Sequence, residues 1–232
     1  MIPLSEVISR VRTRYEVSDT IRWSDDDIKG FINEGLECLA EATDFYERYV
    51  SIPMQPDRQW YDLRGFTPEV VVSIKSVWSS IRNDWLEPVD EGDLQFKWED
   101  STGDPHLFFT RGVYWLGIWP KGKSTVSGEL RVYFAGIPNR FEIDQAVLHD
   151  LPDDHIVALE DYALHEMAFQ DGESQLALRY WKSYLDRENR FSKFVDHRLD
   201  GSINSRFSGF ASGRLNGPTG HEGYLTSTGF TR

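Results

Sequence analysis

LPDDHIVALEDYALHEMAFQDGESQLALRYWKSYLDRENRF, from Leu151 to Phe191, reads as two helices joined by a tight break. After Leu151-Pro152, the residues Ile156, Leu159, Ala163 and Met167 recur at helical spacing, and Gln170-Asp171-Gly172 closes that period. A second period, carried by Ala177, Tyr180, Trp181, Tyr184, Phe191 and Val195, runs from about Ser174 to Arg198. So short a connection predicts an antiparallel helical hairpin, and each helix then needs something to cover its apolar side.

The cover is found at the other end of the chain. Leu4, Val7, Ile8, Val11 and Tyr15 mark one face of a helix that Pro3 and Ser5 can start. Ser24 is a candidate N-cap with Asp27 three residues on, a shortened capping box, and Asp25 and Asp26 suit the positive end of the helix dipole. Ile28, Phe31, Ile32, Leu36, Leu39 and Ala40 continue as an apolar stripe toward Tyr46, and Cys38, falling within it, reads as a small core residue. Arg10, Arg12 and Arg14 in the first helix suit either contact with DNA or simple solvation of the helix.

Between these pairs the period changes. YVSIPM, RQWYDL, EVVVSIKSVWSS, HLFFTR, VYWLGIWP and ELRVYFAGIP are short, β-branched and aromatic, and Gly, Pro, Asp and Asn punctuate them. They predict a small antiparallel β-region whose tryptophans fill the core of a sheet packed on helices. The fold class is therefore α+β. Residues 1–49 and 151–199 form one helical bundle, 50–150 an inserted antiparallel β-lobe, and 200–232 an extended C-terminal arm.

The arm is glycine- and serine-rich and too poor in apolar surface to fold alone. Yet Phe207, Phe210, Leu215, Tyr224, Leu225 and Phe230 are spaced along it as anchors for another chain, with Arg206 and Arg214 able to meet acidic groups there. The whole chain carries a formal −13, whereas residues 201–232 hold three arginines against Glu222 and carry +2. Residues 1–200 thus carry −15, which argues against DNA binding by phosphate neutralisation. The acidic helices, with Asp153, Asp154, Glu160, Asp161, Glu166 and Asp171, would repel DNA if they faced a channel.

Chemistry is sparse. His165-Glu166-Met167-Ala168-Phe169 lacks the second histidine that HExxH needs to grip a metal from one helix face, so no metal site is expected. The glycines of KGKSTVSG suit a hairpin turn and lack phosphate-loop spacing; no GxSxG occurs, and Ser208 lies in the arm. No catalytic residue and no cofactor are expected. The single cysteine excludes an intrachain disulfide framework and fits a reducing compartment. No early apolar run resembles a signal peptide, and no stretch approaches the roughly 20 apolar residues of a membrane span. The rival reading is a carbohydrate-binding or tail-associated recognition module, with Trp60, Trp78, Trp115 and Trp119 as a stacking platform.

Four segments in order resemble the head-to-tail connector (adaptor) proteins of tailed bacteriophages. WSDDDIKGFINEGLECLAEA is similar to the family's early helix, and WYDLRGFTPEVVVSIKSVWSS with LEPVDEGDLQ to its strand, proline-bearing turn and second strand. YWLGIWPKGKSTVSGELRVYFAGIP resembles its final hairpin, and the stretch from Leu151 to Phe191 its closing helix pair. Residues 96–120 are longer and richer in tryptophan than the family's usual middle portion. The resemblance implies a structural virion protein of the neck, made in the host cytoplasm and assembled as a ring of twelve copies beneath the portal. It also implies a C-terminal segment docked on the portal, a downstream tail or nozzle protein as a further partner, and DNA passing through the lumen without specific binding.

Overall fold

The structure is a computed structural model, and it describes residues 2–15, 22–94, 98–123, 128–142 and 151–200. Helix α1 (Leu4–Tyr15) buries Leu4, Val7, Ile8 and Val11, the stripe its spacing predicts. Helix α2 (Asp25–Thr43) opens on the expected cap. The Ser24 hydroxyl accepts from the Asp27 N–H at 3.1 Å, and the Asp27 carboxylate accepts from the Ser24 N–H at 2.9 Å. It closes where Asp44 turns left-handed (φ 55°) and donates its N–H to the Ala40 carbonyl.

Helix α3 (Asp153–Gln170) and helix α4 (Ser174–Asp200) form the hairpin. Gly172, at φ 78°, makes the reversal, because a left-handed position just past a helix end costs glycine little. Helix α3 is buried nearly all round, with Ala158, Tyr162 and Leu164 enclosed as well as the predicted Ile156, Leu159, Ala163 and Met167. It is the central helix, touched by the other three, and its apolar face joins those of α1 and α2 with Phe191 of α4 in one core. Gly35 of α2 lets α3 come close: a Cβ there would stand 2.9 Å from the Tyr162 ring. No described helix is long and apolar enough to cross a membrane.

Among the described residues the β-lobe contains ten strands, of which six match the predicted segments: β1 (Glu47–Met54), β2 (Trp60–Asp62), β3 (Val70–Ser79), β7 (Leu107–Arg111), β8 (Trp115–Trp119) and β10 (Gly128–Ile137). The other four are two-residue strands, β4 (Asp84–Trp85), β5 (Glu87–Pro88), β6 (Thr102–Gly103) and β9 (Lys121–Gly122). One sheet runs β1-β10-β3-β4 and the second β2-β8-β7-β5. Along β10, Leu130, Val132 and Phe134 face inward while Arg131 faces solvent, the period of a half-buried strand. The lobe is not purely antiparallel, since β5–β7 and β6–β9 are parallel. A parallel pair needs a crossover instead of a tight turn, and residues 89–106 supply it for β5 and β7.

The lobe's core is Tyr61, Phe108, Phe134 and a set of Leu, Ile and Val residues. The tryptophans do not fill it, which corrects the expectation from composition; among those whose side chains are described, only Trp23 of the bundle is buried. An indole is large and carries one N–H that must find a partner, so branched aliphatics fill a thin lobe more easily. Polar ties join lobe to bundle. Lys75 of β3 reaches Asp44 at the α2 cap (2.6 Å), Arg140 reaches Glu37 (2.6 Å), and buried Asn33 exchanges two hydrogen bonds with the Phe141 backbone.

Candidate functional site

Two arginines of α1 decide how the bundle is locked. Arg10 and Arg14, four residues apart, point from the same flank toward α3. Arg14 donates to Glu160 at 2.9 Å and to Asp161, and Arg10 lies 3.6 Å from Glu160. Asp161 also accepts from Ser183 and Arg187 of α4, each at 2.6 Å. Three helices therefore converge on two adjacent carboxylates, of which Asp161 is 0% exposed and Glu160 3%. Charges so far from water persist only when paired: both Asp161 oxygens and Glu160 Oε2 accept hydrogen bonds, whereas the buried Glu160 Oε1 has only Arg10 at 3.6 Å. A second tie runs at the end of α1, where the Tyr15 hydroxyl donates to Asp171 at 2.7 Å and Arg22 pairs with the same carboxylate. Burial and the Asp171 carboxylate both push the Tyr15 hydroxyl's pKa upward, which keeps it a donor.

This geometry answers the question left open by the early arginines. Arg10 and Arg14 are engaged inside the subunit, and Arg12 donates to Asp25 and to the Trp23 carbonyl (2.8 Å). It also divides the six carboxylates named for a channel wall: Asp171 is held by Tyr15 and Arg22, and Glu166 is half-buried. Asp153 and Asp154 are exposed in the first turn of α3, whereas Glu160 and Asp161 are turned into the bundle and cannot line an outer wall. The spacing of Arg10 and Arg14 beside the apolar stripe was the available signal for this network; Arg10 also donates to nearby Glu6 at 2.6 Å, but Glu160 and Asp161 lie more than 140 residues away.

The tryptophans named as a platform are split between two sheets. Trp78 lies in β3 beneath Arg131 (4.9 Å to the ring), opposite Trp85 of β4. Trp60, Trp115 and Trp119 lie in the second sheet, where Arg111 covers Trp60 at 4.4 Å and His106 packs edge-on against Trp119 at 5.0 Å. Of the four, Trp115 alone is exposed, at 40%. Nothing in this arrangement gathers them into one open stacking surface.

His165 is not on a free polar face. Its ring packs 5.0 Å from Trp181, and its Nδ1 lies 2.9 Å from the Ala177 carbonyl, so it helps to hold the hairpin together. Cys38 is exposed, contrary to its reading as a core residue; its Sγ lies 3.8 Å from the Tyr162 hydroxyl at the edge of the α2–α3 contact. The stripe of α2 is narrower than its apolar composition suggests, and Cys38 falls just outside it. Among the described residues, no group of three or more His, Cys, Asp or Glu is placed to hold a metal ion. The arm residues Arg206, Phe207, Phe210, Arg214, Leu215, Tyr224, Leu225 and Phe230 lie outside the described residues.

The chain is thus a helical bundle tied by buried ion pairs that carries a β-lobe with its own core. The family model described as SU10 adaptor protein matches residues 2–206, which takes in all four helices and the whole lobe. No curated protein matches the chain. The chain belongs to the SU10 adaptor protein family.

Proposed function

We propose that this adaptor is a structural protein of a tailed phage that forms a ring of twelve copies beneath the portal and extends the DNA channel toward the tail. The observation that carries the reading is the family match across residues 2–206. The subunit suits a mechanical part. Its helices are tied by charge pairs that tolerate no rearrangement without stranding a buried carboxylate. Its partners in this reading are its own copies, the portal and a downstream tail component, and its place is the neck of the virion.

The arm from Gly201 to Arg232 is proposed to dock on the portal. The family match ends at Arg206, so Phe207 and the residues after it are assigned by composition: aromatic and leucine anchors, a +1 charge, and Gly and Ser between them. Ordering about 30 residues costs roughly 1–2 kcal/mol each in backbone entropy, more than one weak contact can offset. Neighbouring copies that engage together raise each other's effective concentration and overcome that cost. Asp153 and Asp154, exposed on α3, are the carboxylates available to a channel wall that repels DNA.

Truncation after Asp200 tests the arm. The truncated chain should keep the helical signal of the full chain and lose binding to purified portal protein. Hydrogen exchange across residues 202–232 should be fast in the free chain and slow in the assembled neck. Undiminished portal binding by the truncated chain would remove the arm from the mechanism.

A further inference from the structure

Charge on the helical bundle is unevenly spread. The arginines of α1 all have carboxylate partners, as do Arg22, Lys29 and Arg140 around α2. Arg179, Lys182 and Lys193 have none among the described residues, and all three are exposed on α4. With Asp186 and Arg190, paired to each other at 2.6 Å, they stand at i, i+3, i+7, i+11 and i+14, a single crest of that helix. In a body carrying −15, three solvent-facing cations that form no ion pair within the described residues stand apart from their surroundings.

Another face of the same bundle is the reverse. Tyr162 of α3 with Trp181 and Tyr184 of α4 forms an aromatic cluster separate from the main core, Trp181 stacked on Tyr184 at 5.3 Å. Cys38 lies exposed at its edge. Glu34 and Glu41, four residues before and three after Cys38 on α2, share its flank of the helix. Glu34 and Glu41 are exposed and form no ion pair among the described residues, although Glu34 adds to the field at Arg140. Leu178 and Leu185 share the flank of α4 that carries Trp181, and they are 52% and 36% exposed. Beneath them the Tyr184 hydroxyl is buried without a hydrogen-bond partner.

We propose that the cationic crest of α4 in one copy docks on this acidic, aromatic face of the next. Arg179, Lys182 and Lys193 would meet Glu34 and Glu41 of the neighbour's α2, and the apolar stems would cover Leu178, Leu185 and Cys38. The inference rests on the ring reading above and names its contact. Two different patches that complement each other make a head-to-tail interface, the kind that closes into a ring when the rotation allows. Charge pairing selects the register, and covering the leucines contributes the burial.

Charge reversal on the full chain, assembled with purified portal protein, tests it. Glu34→Lys with Glu41→Lys should lower ring yield about tenfold or more, and so should Arg179→Glu with Lys182→Glu and Lys193→Glu. All five changes in one chain should restore the yield, because both faces are then inverted. Circular dichroism checks that each variant stays folded, as exposed positions allow. A second experiment uses the chain's only cysteine: Lys182→Cys, treated with a short bismaleimide in the assembled ring, should give a ladder of linked subunits that Cys38→Ser abolishes.

Rings that form normally from both charge-reversed chains, or a combined chain no better than its parents, would overturn the contact and leave the ring standing. If the acidic variant of α4 assembles normally but loses salt-sensitive binding to double-stranded DNA, the crest serves DNA and the proposal fails. Portal-bound wild-type copies that never contact one another would sink the ring reading itself.

Discussion

Arg14 of α1 and Asp161 of α3, separated by 147 residues of sequence, form an ion pair at the centre of the bundle. Asp161 has no exposed surface, and Ser183 and Arg187 of α4 use its remaining lone pairs. The first helix, whose own apolar contribution is only a few side chains, is held to the hairpin through this carboxylate.

Asp161→Ala should therefore be among the most damaging single changes in the bundle. It leaves Arg14 and Arg187 facing an empty, buried position, and breaking one side of such a network costs roughly 3–5 kcal/mol. Arg14→Ala should cost less, because that arginine is about a third exposed and water can partly replace it. Urea unfolding of both single variants and the double variant should show a double-variant loss well below the sum. Strict additivity would mean that the two residues do not act together.

Ser24→Ala removes one half of the reciprocal cap at the start of α2. The expected loss is about 1 kcal/mol, from one backbone donor, the Asp27 N–H, returned to water at the helix start. Ser24→Asp should recover most of it, because a carboxylate accepts the same N–H. A thermal unfolding series that ranks Ser and Asp together above Ala would match this account, and equal midpoints for all three would refute it.

His155 gives the bundle a pH dependence of known sign. Its ring lies 4.5 Å from Phe191 and 5.2 Å from Phe194, and burial holds its pKa below the ordinary value despite the neighbouring Asp154. The folded chain thus binds this proton less readily than the unfolded one. Its stabilising share is whole above the unfolded value near 6.5 and is lost as the pH falls through the depressed folded value. As the pH falls below about 7 the wild type should lose stability relative to His155→Phe, with a constant difference above that. Parallel stability curves for the two proteins across the acid range would show that His155 does not titrate differently on folding.

Gly35→Ala places a methyl group against the Tyr162 ring at 2.9 Å, between the two most buried helices. The expected cost is roughly 1–3 kcal/mol, since α2 must move outward or the ring must leave its rotamer. Helix propensity alone would predict a gain for the same change. A measured gain would show that α2 and α3 can separate at Gly35 without cost.

Much of the fold is legible along the chain. The four helices begin and end where Ser24, Pro152, Gly172 and the apolar periods place them, and the six longer strands coincide with the β-branched and aromatic segments. Those signals are local, because a cap, a turn glycine and a period of 3.6 or 2 each depend on residues within a few positions. The two-residue strands β4, β5, β6 and β9 left no period to read, since two residues cannot display one.

The amino-acid sequence by itself determined that this is an α+β chain of helices around an inserted β-lobe, strongly acidic in its body, with a basic and aromatic C-terminal stretch. Tertiary structure decided what the charged and aromatic side chains do. Whether Glu160 and Asp161 face a channel or an arginine, whether Cys38 is covered, and whether the tryptophans lie inside or outside the lobe all depend on which distant element packs beside them. Periodicity states that a helix has a face to bury. It carries no information on the width of the surface that covers it, and it was that width that enclosed Asp161 and left Cys38 at the edge.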